Sequence, residues 1–186
     1  MKDIKLFPMN LETDKAEIES WDTLYAQHKN YQQIYKFILE DGLINGLGEI
    51  IYLNFEHFPI GRNERKFSFV ARNENGKIVG FLILSAYELQ TSSPEMFVQY
   101  IVLNPKYQNH GFGTGILHEL FSNFKKYIGV KPKQIFSYIH QDNIASQKLF
   151  KHFGFDLAAV PKSDYFCAST DGKSLKQTIE SQNQKI

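Results

Sequence analysis

The sequence predicts an α/β fold, a mixed sheet flanked by helices, and three stretches carry that reading. Residues 67–87 form a hairpin pattern, with Phe67, Phe69 and Ala71 alternating before the turn Asn73-Glu74-Asn75-Gly76 and the apolar run Ile78–Leu84 after it. Residues 97–128 read as a buried strand, a glycine loop and a helix with Ile116, Leu117, Leu120, Phe121 and Phe124 at helical spacing. Residues 134–155 repeat strand then helix, and a right-handed crossover places this strand parallel to and beside Phe97–Leu103.

In chain order, Ile4–Met9 is a short first strand stopped by Pro8. Thr13 or Asp14 then caps a helix bearing Ile18, Trp21, Leu24, Tyr25 and His28 on one face. Tyr31, Ile34, Tyr35, Phe37 and Ile38 mark a second helix, ended at Asp41-Gly42. Residues 41–66, punctuated by glycines, are long for a plain connection and hold local structure or a lid. Glu49, Glu56 and His57 are candidate substrate contacts there. Ser92-Ser93-Pro94 turns into the central strand, and Asn104-Pro105 ends it. Asp156–Val160 and Tyr165–Ser169 are the last two strands. The polar tail after Asp171 is expected to be a loose helix or to fray.

The 186 residues suit one domain, and 42% hydrophobic content is enough for a sizeable core. A net charge of +1 gives no field favouring nucleic acid or an anionic membrane. The single Cys167 excludes an internal disulfide framework. With no signal-peptide pattern and no spanning apolar run, the expectation is a soluble cytoplasmic protein without a membrane segment. No metal-ligand pattern is read.

The glycine loop has anion-binding chemistry. The first amides of a helix lack internal partners, the dipole places positive charge there, and glycines admit a phosphate to the backbone. A P-loop requires Gly-Lys-Ser/Thr where this chain has Gly113-Thr114-Gly115. A Rossmann fingerprint requires a glycine at Ile116 and an acid at His140. What fits is Gln108-Asn109-His110-Gly111-Phe112-Gly113, the Gln/Arg-x-x-Gly-x-Gly/Ala pattern of the GNAT N-acetyltransferases, which the chain resembles. A second match is Asn143 opening a helix that ends in Gly154-Phe155, and Gly80 stands in a Val-Gly-Phe run.

The resemblance implies a GNAT-like, mostly antiparallel central sheet, its central strand bulged and splayed from its neighbour at strands 4 and 5. It also implies one domain over 1–186, with a divergent acceptor-side region at 1–66, a cofactor-binding core at 67–156, and C-terminal strands and tail at 157–186. It implies that Gln108, Asn109, His110, Gly111, Phe112, Gly113 and Thr114 hold the pyrophosphate of acetyl-CoA. The strand end Ile101, Val102 and Leu103 would pair with the pantetheine amides as an added strand, and Asn143 and Phe150 would line the cofactor from the later helix. Lys106, Lys148 and Lys151 are candidates for its 3′-phosphate.

The implied reaction is N-acetylation of a primary amine, on a small molecule or a protein, by direct attack in a ternary complex. The family's usual tyrosine donor to the thiolate falls at Phe150, which has no proton to give, so Tyr138 and Tyr165 are the substitutes considered. A thiol pKa of about 8.5 also tolerates departure with solvent help. The position that often carries a glutamate is Phe97, which leaves Glu95 and His140 as candidate bases acting through water. The competing reading is a catalytically silent acyl-CoA-sensing or partner-binding module. A third, acylation of aminoacyl-tRNA, rests only on Lys125, Lys126, Lys131 and Lys133 and is disfavoured by the near-neutral charge. The expected state is a monomer or a homodimer paired through an exposed C-terminal edge strand.

Overall fold

In a computed structural model, residues 2–21, 64–87 and 92–184 are described. The expected helix around Tyr31–Ile38, residues Leu24, Tyr25 and His28 of the first helix, and the candidates Glu49, Glu56 and His57 lie outside them.

Among the described residues seven strands form one sheet: β1 (Ile4–Pro8), β2 (Glu64–Asn73), β3 (Ile78–Tyr87), β4 (Glu95–Leu103), β5 (Gln134–His140), β6 (Asp156–Ala159) and β7 (Tyr165–Asp171). Their order is β1-β2-β3-β4-β5-β7-β6. Every neighbouring pair is antiparallel except β4 and β5, which run parallel as the crossover rule requires. All ten residues of β3 are buried. A strand covered on both faces reads as a continuous apolar run, which is why Ile78–Leu84 shows no alternation.

Among the described residues five helices flank the sheet: α1 (Leu11–Glu19), α2 (Phe112–Ser122), α3 (Phe124–Ile128), α4 (Ile144–His152) and α5 (Gly172–Asn183). One face carries α2, α4 and α5 over Met96, Val98, Ile135, Ile139 and Ala168, with Ile116, Leu117, Leu120, Phe150, Phe153 and Leu175 filling the layer between. The other face receives Ile18 and Trp21 against Val70, Ile78, Phe81, Ile83 and Val102. An ion pair of 2.7 Å from Arg72 Nη2 to the buried Asp14 ties α1 to the β2–β3 hairpin.

Several boundaries differ from the sequence expectation. Asn10, not Thr13 or Asp14, caps α1, its side chain accepting from the Glu12 amide, and Trp21 lies beyond the helix end. The single helix expected through Ile128 divides at Asn123, whose side chain donates to the Glu119 carbonyl and carboxylate. Of the two outcomes expected for the tail, a helix is found, Gly172–Asn183. Asp171 accepts from the amides of Lys173 and Ser174 to cap α5, which buries Leu175 and Ile179.

Candidate active site

The site begins with a β-bulge. Ile83 pairs with Tyr100 and Leu84 with Val98, so Gln99 is an extra residue in β4. Beyond the bulge β4 no longer pairs with β5. Only Glu95, Met96 and Phe97 pair with β5, opposite Gln134, Ile135 and Phe136. The last contact between the two strands is a side-chain clamp, in which the buried Ser137 hydroxyl donates to the Val98 carbonyl at 2.9 Å. From there β4 and β5 part, giving the splay expected from the sequence.

The backbone lining this gap follows from alternation. The Asn104 amide donates to the Val79 carbonyl at 2.9 Å, so Asn104 and Val102 turn their main-chain groups toward β3. A Cβ on Gly80 would stand 2.5 Å from the Val102 carbonyl oxygen, which is why only glycine fits there. Ile101 and Leu103 therefore present their main-chain groups to the gap, and Val102 does not. The Leu103 carbonyl is met at 3.4 Å by the Gln108 side-chain amide.

Past β4, a short 3-10 turn (Pro105–Tyr107) leads into the glycine loop. Helix α2 starts at Phe112, earlier than the apolar pattern indicates, so Gly113, Thr114 and Gly115 form its first turn. Gly111 caps it in the left-handed region with φ 80° and open space where a Cβ would stand. Asn109 also has positive φ, at 59°. The first amide bonded within the helix is that of Gly115, to Gly111. The amides of Phe112, Gly113 and Thr114 have no hydrogen-bond partner among the described residues. Three unpaired amides, an exposed loop at Asn109–Gly111 and no side-chain cap make an anion cradle. The His110 ring nitrogen is turned back onto the Gln108 carbonyl. A Cβ added at Gly113 would stand 3.4 Å from both Leu103 and Leu149, so the loop sits between β4 on one side and α4 on the other.

Asn143 caps α4, accepting from the Ser146 amide at 3.1 Å. Phe150 does not reach the gap. It is 1% exposed, and its ring meets Phe155 edge-on at 5.0 Å inside the core. The substituted tyrosine position is thus a packing position in this chain.

Tyr138 follows the Ser137 clamp on β5 and turns to the α1 face, with its ring edge-on to Phe97 at 5.8 Å. Burial first, and the neighbouring Cys167 second, push its hydroxyl above the usual tyrosine value. Burial likewise raises the Cys167 thiol. Glu95 sits at the closed end of the gap, paired with Tyr87 and Gln134. Phe97, stacked on Phe136 at 5.1 Å, lies between it and the parting point. His140 ends β5 opposite Tyr165. Its Nδ1 accepts the Asp142 amide at 3.2 Å, which fixes the neutral ring's proton on Nε2. The three polar candidates are therefore separated along the face, and Tyr138 alone adjoins the clamp. Sequence reasoning missed Ser137, Gln99 and Leu149. The one signal available was a glutamine inside an apolar strand. Gln99 keeps a buried side-chain oxygen without a hydrogen-bond partner among the described residues.

Comparison with known proteins agrees with this geometry. The acetyltransferase (GNAT) family model matches residues 19–155. An acetyltransferase from Thermus thermophilus is similar at 13% identity and TM-score 0.59, over 92% of this chain and 99% of that one. The PaiA N-acetyltransferase of Thermoplasma acidophilum, in complex with coenzyme A, is similar at 17% identity and TM-score 0.60, over 91% and 99%. Spermidine N-acetyltransferase from Vibrio cholerae, in complex with CoA and spermine, is similar at 11% identity and TM-score 0.58, over 93% and 98%. No curated protein matches the sequence.

Proposed function

The chain belongs to the GNAT acetyltransferase family, and from that premise we propose that it moves an acetyl group from acetyl-CoA to a primary amine by direct attack in a ternary complex. The observation that carries the reading is the gap itself. Main-chain groups of Ile101 and Leu103 face it, and it leads from the Ser137 clamp to the unpaired amides of Phe112, Gly113 and Thr114. Those amides fit a pyrophosphate, and Gly111 leaves room for it to approach. Ile101 and Leu103 fit an extended chain of amides laid along a strand edge. The unmet Gln99 oxygen fits an amide or ammonium donor beside the bulge. When bound, acetyl-CoA supplies an acyl thioester activated toward nitrogen nucleophiles.

The chain's own groups do the rest. The Ile101 amide is a fixed donor for negative charge at an acyl oxygen placed beside β4. Tyr138 holds its proton at the phenol oxygen throughout the neutral range, because burial disfavours the phenolate, and so serves as the donor to a departing thiolate. His140, with Nδ1 occupied, orients the Gln141–Asn143 turn, and Glu95 lies too far down β4 to act without water. The raised thiol of Cys167 is a poor nucleophile at neutral pH, which favours direct attack over an acetyl-enzyme. Two of the similar structures, one of them a chimera, are of spermidine N-acetyltransferases, which supports an amine acceptor. Initial rates at varied acetyl-CoA and amine test the order: intersecting lines support the ternary complex, and parallel lines contradict it. The silent-module reading draws on one observation, the burial of Phe150 where the family's tyrosine stands.

A further inference from the structure

A second cavity, of about 340 Å³, lies on the α1 side of the sheet where β3 begins and β4 ends. Its walls include Glu17 and Trp21 from the end of α1, Lys77 from the hairpin, and Asn104, Lys106 and Tyr107 from the turn after β4. The volume is within the range of small-molecule sites. It is set apart from the β4–β5 gap, since it adjoins β3 rather than β5.

Three features of the wall point to a ligand. Lys77 and Lys106 are exposed and form no ion pair among the described residues, so two cations converge on the cavity against one carboxylate. Trp21 is 5% exposed, and its indole N–H is buried without a hydrogen-bond partner among the described residues. An unmet buried donor is destabilising, and a bound acceptor would satisfy it. Trp21 and Tyr107 give the wall flat apolar surface, and the Trp21 ring is already held by Phe81 at 6.4 Å.

We propose that this cavity binds a small organic anion, a carboxylate or phosphate on a flat apolar body, with Lys77 and Lys106 meeting the charge and Trp21 and Tyr107 the body. Its floor is continuous with the cofactor loop. Asn104 accepts from the Lys106 amide at 3.0 Å, and the Tyr107 ring packs edge-on against Phe112, the first residue of α2, at 5.0 Å.

Trp21 is the sole tryptophan, so its fluorescence reports this cavity directly. Phenyl phosphate is titrated into the full chain with coenzyme A already saturating, which removes the glycine loop as a competing anion site. Benzylammonium serves as the size-matched cation. The expected result is a saturable emission change with phenyl phosphate, absent with benzylammonium, weakened about tenfold in Lys77→Ala and strengthened in Glu17→Gln. No saturable change up to about 10 mM, an equal response to benzylammonium, or an affinity indifferent to both substitutions overturns the proposal.

Discussion

The Ser137 hydroxyl donates a 2.9 Å hydrogen bond to the Val98 carbonyl at the point where β4 and β5 separate. Below it the strands pair for three residues, and above it β4 no longer pairs with β5. The bond closes the gap at one end and satisfies a carbonyl that no ladder bond to β5 reaches. Ser137→Ala leaves that buried acceptor unmet, and a loss of about 1–3 kcal/mol is expected in urea unfolding. The KM for acetyl-CoA should rise more than kcat falls, because the clamp positions the strand edge and takes no part in proton transfer.

Gly80 and Gly111 separate packing from binding. At Gly80 a Cβ meets the Val102 carbonyl at 2.5 Å, so Gly80→Ala must move β4 and should cost about 2 kcal/mol or more. At Gly111 no atom of the described residues lies within 4 Å of an added Cβ, and the cost of Gly111→Ala is the left-handed backbone alone, about 1–2 kcal/mol. Unfolding curves and cofactor titrations on both variants check the contrast. Gly111→Ala should lose cofactor affinity in greater proportion than stability.

Phe150→Tyr restores the family's usual residue but not its function here. The ring is 1% exposed and faces Phe155, so a hydroxyl added there is buried in an apolar layer. A loss of about 1–3 kcal/mol in stability and no gain in kcat are expected. A gain in kcat would show that the ring can turn into the gap.

Tyr138→Phe removes the proposed proton donor while leaving its packing on Phe97 in place. A fall in kcat of about 10²-fold with little change in the KM for acetyl-CoA is expected. The sign of the pH dependence follows from the raised phenol: the donor is intact below its folded value and is lost as pH rises through it. The wild-type rate should therefore lose this group's contribution only at higher pH than an ordinary tyrosine would, because its folded value lies above the ordinary one.

Asp171 caps α5 with bonds from the Ser174 hydroxyl and from the Ser174 and Lys173 amides, and these hold its carboxyl below the usual value. A lowered folded value means the cap's contribution is full above 3.8, the ordinary value, and is lost as pH falls through the folded one. Asp171→Asn should keep the helix and remove this acid sensitivity, as read by amide exchange across residues 172–183.

The hairpin, the glycine loop and the α4 cap were legible because each depends on local chemistry: Asn75-Gly76, Gly111–Gly115 and Asn143 state their conformations in a few residues. The resemblance implied a bulge in the central strand but not its position at Gln99, because Phe97–Leu103 is largely apolar and a skipped residue leaves no break in alternation. The split at Asn123 was hidden by an apolar period that continues through Phe124, Tyr127 and Ile128. Helix α5 was underrated because two apolar residues, Leu175 and Ile179, anchor a polar segment whose stability comes from docking and from Asp171. The direction of Phe150 is set by Phe153 and Phe155 packing around it, which only the fold discloses.

The most direct test is to follow free thiol from acetyl-CoA across a panel of primary amines, with acetyl-CoA binding titrated in the same buffer. Saturable binding with thiol release that requires an amine, one acetylated amine per thiol, is the predicted result. Binding without release across mono-, di- and polyamines and lysine peptides contradicts the transferase reading and leaves a cofactor-binding module. Absence of binding at millimolar acetyl-CoA contradicts the assignment of the β4–β5 gap and the glycine loop to the cofactor.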